Sequence, residues 1–141
     1  MPKIRHIAYR AEDVAAMADF FVRACEMTIV QRRKNGAIDL SDGTINITLL
    51  PAHGPRADGQ PARLGIDHIG FTVEDEAKSS QRLESAGARK VDAIANSTAH
   101  YEIKFKGPEG ITIDVGRWIG AAPLVDETEN QQVPVGSPAN G

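Results

Sequence analysis

Residues 4–13 read IRHIAYRAED and residues 66–75 read IDHIGFTVED. Laid over one another without a gap, His6 falls on His68, Ile7 on Ile69, Tyr9 on Phe71, and Glu12-Asp13 on Glu74-Asp75. The two segments stand 62 residues apart. A repeat of this kind means two copies of one supersecondary unit, and it constrains the fold more than any local pattern.

Each copy continues in the same order. After Glu-Asp comes a helical stretch with an aspartate, Asp13 or Asp75, at the N-cap. In the first copy Val14, Met17, Phe21 and Ala24 recur at helical spacing. In the second, Ala77, Leu83 and Ala86 form the inward side and Gly87 is the stop. Strand-like runs follow over 28–33, 37–41 and 44–50, then over 89–94, 100–106 and 111–117. Asn35-Gly36, Asp42-Gly43 and Pro108-Glu109-Gly110 supply turns. Each copy is therefore β-α-β-β-β, an α+β organisation. The first module covers residues 1–50 and the second 66–119. Residues 51–65, PAHGPRADGQPARLG, read as a linker. The tail over 120–141 is rich in Pro, Gly, Asn and Gln and cannot bury a core of its own.

Strand alternation sorts the side chains onto two faces. Ile7 and Tyr9 oppose His6, Ala8 and Arg10. Ile69, Phe71 and Val73 oppose His68, Gly70 and Thr72. Ile45, Ile47 and Leu49 oppose Asn46 and Thr48, Ile103 and Phe105 oppose Lys104 and Lys106, and Ile113 and Val115 oppose Thr112 and Asp114. The apolar faces belong under the helices. The other face is polar, ionisable or very small, as the lining of a cup is, and the small residues leave room for a ligand. His6, His68 and Asp114 share that face. Two neutral imidazoles and a carboxylate can hold a divalent first-row metal while leaving positions open for water and substrate. A lone histidine near a strand start is usually a hydrogen-bonded surface residue. Two at symmetric places, with a carboxylate on the same face, favour the metal.

These residues resemble the vicinal oxygen chelate superfamily, the group of glyoxalase I, the bleomycin-resistance proteins and the extradiol dioxygenases. The carriers are the βαβββ repeat, the two HI(A/G)(Y/F) strand starts and FKGPEGITID over 105–114. The family motif Y-F-x-D-P-x-G-x-x-x-E is similar to the stretch from Lys104 to Asp114, with the same spacing from Pro108 to Asp114. The resemblance covers residues 3–118. It implies two modules closing into one cupped mixed sheet, with metal ligands at His6, the Thr48 position, His68 and Asp114. Thr48 departs from the carboxylate or amide found there, Asp114 replaces the usual Glu, and Lys104 replaces a Tyr.

The expectation is a small enzyme using one divalent ion (Fe, Mn, Ni, Co or Zn) to chelate two adjacent oxygens of a small polar substrate. Its chemistry would be extradiol-dioxygenase-like or glyoxalase-like lyase/isomerase chemistry. Metal ligands are His6, His68 and Asp114. Asn46, Thr48 and Lys104 line the substrate pocket, and Lys104 is the acid-base or anion-binding group. The rival is a metal-free antibiotic-binding protein of the bleomycin-resistance type. An aromatic content of 5% is low for a stacking drug trap.

Composition narrows the other classes. Of 141 residues, 41% are hydrophobic and 25% charged, an ordinary globular mixture. With 16 Lys plus Arg against 19 Asp plus Glu, no nucleic-acid partner is expected. No apolar run reaches membrane-spanning length, and MPKIRHIAYR reads as a strand rather than a leader. The single Cys25 fits a reducing compartment, so the cytoplasm is the expected location; that residue is expected to be buried and inert. A homodimer is expected, because each module leaves sheet edges unpaired. His53 and His100 are expected at the surface, Met17, Phe20 and Phe21 in core and interface, and Trp118 at the cup mouth or a dimer seam.

Overall fold

A computed structural model describes residues 1–52, 63–91, 103–119 and 122–123. The first module comprises β1 (Lys3–Ala11), α1 (Val14–Cys25), β2 (Thr28–Arg32), β3 (Ile38–Ser41) and β4 (Asn46–Pro51). The second comprises β5 (Gly65–Thr72), α2 (Glu76–Ser85), β6 (Arg89–Lys90), β7 (Ile103–Lys106) and β8 (Thr112–Gly116), with a short 3-10 turn over Pro108–Gly110. Two further short strands, β9 (Trp118–Ile119) and β10 (Ala122–Pro123), pair with each other. The expected strand residues 92–94 and 100–102, His53, His100, and most of the linker and tail lie outside the described residues.

The main sheet runs β2-β3-β4-β1-β5-β8-β7-β6. The order is the same read inward from either edge, so the repeat in the sequence becomes an approximate two-fold in the sheet. β1 and β5 are antiparallel at the centre, and each runs parallel to the last strand of its own module, β4 or β8. The two modules thus join edge to edge within a single chain.

Local chemistry accounts for the helices. Asp13 caps α1 by accepting from the Ala16 amide at 2.9 Å, and Asp75 caps α2 by accepting from the Lys78 amide at 2.9 Å. α1 ends at Glu26 in the left-handed region, whereas α2 ends on Ala86 and Gly87, with Gly87 at φ 99 as the stop signal requires. Each helix covers the apolar face of its own module. Ala18, Met27, Ile38, Leu40 and Leu49 form one core, against which Val14, Met17 and Phe21 pack. Val73, Phe105 and Val115 form the other, with Leu83 and Ile113 against it.

Five expectations about burial need correction. Cys25, the last residue of α1, is exposed, and so is Ala24. Phe20 is 56% exposed and outside the core, because the helix turns it away from Ala18. In α2 the inward residues are Ser79 and Leu83, one turn apart, while Ala77 and Ala86 are exposed.

Candidate metal centre

The first strands of the two modules cross the bottom of the cup in register, with His6 opposite Gly70 and Ala8 opposite His68. The small residue two places after each histidine therefore accommodates the other module's histidine. At Gly70 a Cβ would lie 2.9 Å from His6 Cβ and 3.1 Å from its Cδ2, closer than side-chain carbons pack. Glycine here is a condition for His6 to occupy the centre.

His6, His68 and Asp114 each place a ligand-competent atom within 4.8 Å of the others. The two Nε2 atoms face one another at 3.1 Å, and His68 Nε2 is 3.1 Å from Asp114 Oδ2. Both rings are oriented from behind. His6 Nδ1 lies 2.7 Å from Asn46 Oδ1, and His68 Nδ1 lies 2.7 Å from Asp67 Oδ2. An amide oxygen and a carboxylate only accept, so each Nδ1 donates, and a neutral ring held in this way would present its Nε2 lone pair inward to a metal. Two Nε2 atoms and a carboxylate oxygen gathered at one point are a donor set a cation can share, and backing of each ring by an acceptor is the usual support of a histidine ligand. The residues therefore fit a divalent metal. Burial, then the neighbouring His68, lowers the His6 imidazole from 6.5 to about 3, which keeps the ring neutral and able to ligate. Burial alone would raise Asp67. The hydrogen bond and charge of His68, with Arg10 at 2.9 Å, outweigh it and hold that carboxyl well below the usual range.

Sheet register makes the asymmetry of the cup explicit. Asn46 pairs with His6 as Thr112 pairs with His68. Thr48 lies opposite Ala8 as Asp114 lies opposite Gly70, so Thr48 is the counterpart of the carboxylate ligand. Behind each stands a residue of the next strand, Asp39 opposite Thr48 and Lys104 opposite Asp114. The charges are exchanged: one wall has a neutral hydroxyl backed by a carboxylate, the other a carboxylate backed by an ammonium. Thr48 Oγ1 donates to Asp39 Oδ1, and Arg33 Nε reaches Asp39 Oδ2 at 2.9 Å. Lys104 Nζ lies 2.9 Å from both oxygens of Asp114. Lys106, one pleat further along, donates to Thr112 Oγ1 at 2.7 Å.

Of the residues singled out from the sequence, His6, Asn46, Thr48, His68, Lys104 and Asp114 all lie on this face. Asn46 holds the His6 ring and Thr48 binds Asp39, so both are tied into the wall. Two residues of the site were missed. Asp39 sits between Ile38 and Leu40, and the same alternation that placed Asp114 would have placed it. Asp67 has the wrong parity for the cup. The pairing jumps from Ala8–His68 to Tyr9–Ile66, leaving Asp67 as the extra residue of a β-bulge, free to turn toward His68. A groove of about 360 Å³ opens beside it at the N-terminal ends of β5 and β8, lined in part by Leu64, Ile66, Asp67, Ile111 and Thr112.

The model of the Glyoxalase/Bleomycin resistance protein/Dioxygenase superfamily matches residues 3–115. No curated protein matches the chain. Among solved structures, a methylmalonyl-CoA epimerase from Mycobacterium tuberculosis superposes with a TM-score of 0.58 at 17% identity, over 81% of this chain and 86% of that one. A Mn(II)-bound glyoxalase from Novosphingobium aromaticivorans gives 0.63 at 18% identity, over 92% of this chain and 41% of its own. A Pseudomonas 2,3-dioxygenase gives 0.63 at 17% identity, over 89% and 44%. At these identities the likeness is one of fold.

Proposed function

The chain belongs to the glyoxalase/bleomycin resistance protein/dioxygenase superfamily, and on that footing we propose that it is a small metal-dependent enzyme. His6 Nε2, His68 Nε2 and the Asp114 carboxylate would hold one divalent ion, with Fe, Mn, Ni, Co and Zn the candidates. Bound there, the ion supplies Lewis acidity to two adjacent oxygens of a small polar substrate. The observation that carries this reading is the convergence of two imidazole Nε2 atoms on a carboxylate that is 1% exposed.

The chain's own residues do the rest. Asn46 and Asp67 fix the orientation of the two rings. Lys104 is the catalytic residue of the proposal: its ammonium, beside Asp114, donates a hydrogen bond or a proton to a substrate oxygen. Thr48 and Asn46 form the opposite side of the substrate pocket. Thr48, the counterpart of Asp114, has no carboxylate and cannot serve as a proton-abstracting base. That favours oxygen insertion into a vicinal diol over glyoxalase-like lyase or isomerase chemistry.

Protein purified without chelator is expected to carry about one divalent ion per chain. Iron-loaded protein is expected to consume oxygen with catechol-type diols. Proton exchange on a carbon acid without oxygen uptake would move the assignment to the isomerase side. A protein that takes up none of the five metals, yet binds small molecules, would be the metal-free binding protein instead.

A further inference from the structure

We infer that Lys104 is a resident cation that sets the affinity and the selectivity of the His6–His68–Asp114 cluster for its metal. The inference rests on the metal reading and goes beyond it. Lys104 lies next to Asp114 on the neighbouring strand, and its Nζ is 2.9 Å from both carboxylate oxygens. Asp114 is 1% exposed and the Lys104 side chain 19% exposed, so water screens this pair poorly. The same ammonium acts electrostatically on His6, which places its charge within reach of the whole cluster.

The consequence for a metal follows from charge and donor type. In the second module's half of the cluster, the one anionic ligand is already balanced by one ammonium. A dication entering the cluster shares that carboxylate with Lys104 and is repelled by it. An imidazole ligates in its neutral form and carries no such handicap. The site is thereby weighted toward its nitrogen donors. Ions that bind imidazole strongly, such as Zn(II), lose less than ions that depend on carboxylate, such as Mn(II). The first module cannot compensate, because Asp39, the counterpart of Lys104, is engaged by Thr48 and Arg33.

The test is titration calorimetry of the metal-stripped full chain with Zn(II) and with Mn(II), for wild type, Lys104→Met, Lys104→Gln and Lys104→Arg. Removing the ammonium is expected to tighten Mn(II) by about tenfold or more, and to tighten Zn(II) by clearly less. Lys104→Arg keeps the charge and should stay near wild type. Lys104→Gln keeps a donor to Asp114 without the charge, so it should follow Lys104→Met and serves if the Met variant does not fold. Equal gains for both metals would overturn the selectivity claim. Unchanged or weaker binding in the neutral variants would show that Lys104 only positions the carboxylate, and would overturn the inference while leaving the metal site standing. Wild type and all three variants binding neither metal would instead remove the metal reading, and this inference with it.

Discussion

The neutral His6 ring has a consequence for stability that can be given a sign. Its folded value of about 3 lies below the ordinary 6.5, so between those values the unfolded chain binds a proton that the folded chain does not. Stability from this group is intact above pH 6.5 and is lost as the pH falls toward 3, at up to about 1.4 kcal/mol per unit. Denaturant melts of metal-free protein between about pH 6 and 4 should show that slope, and His6→Gln should flatten it. An equal slope in the variant would contradict the burial account. Asp39 gives a second check. Asp39→Ala strips the partner of Thr48 and an ion pair of Arg33, and should cost about 1–3 kcal/mol by chemical denaturation; no change would show that the carboxylate is dispensable to the wall. At this scale the sequence was legible wherever strand parity held. His6, Thr48, His68, Lys104 and Asp114 were placed on one face by alternation alone. Asp39 obeyed the same rule and was passed over. Asp67 could not be read that way, because a bulge is set by pairing with a distant strand.

Between elements, the decisive contact is the crossing of β1 and β5. The sequence suggested that Ala8 and Gly70 were small to admit a ligand; the structure shows them admitting each other's histidine. Gly70→Ala therefore pushes a carbon into His6 and should cost about 1–3 kcal/mol, with a loss of metal affinity beyond that of a distant surface change. Ala8→Gly opens space and should be mild for the metal. Equal metal binding by Gly70→Ala and wild type would show that the close approach is not needed. The helices differed in legibility for a physical reason. α1 carries Val14, Met17, Ala18, Phe21 and Val22, so its stripe was largely readable, with Ala18 hidden among many alanines. α2 has only Ala77 and Leu83 as apolar residues between Glu76 and Ser85. A period cannot be drawn from two points, and packing chose Ser79 as the companion of Leu83.

At the scale of the molecule, the repeat was the strongest signal, because its copies meet across the β1–β5 seam and nearly all the other pairing follows from that. No helix among the described residues is long and apolar enough to cross a membrane. We propose a homodimer: β2 and β6 end the sheet, and the α1 face carries the exposed Phe20. Sedimentation at micromolar concentration should show two chains, and a strictly monomeric species would contradict it. One chain nevertheless supplies both halves of one cup, so metal stoichiometry should follow the chain and not the dimer. The most direct test is calorimetric titration of metal-stripped protein with a divalent ion such as Zn(II). Wild type should bind about one ion per chain, Asp114→Asn should lose at least about 10–100-fold in affinity, and Asp114→Glu should retain the ion. Identical binding by wild type and Asp114→Asn would contradict the assignment of His6, His68 and Asp114 as the metal centre.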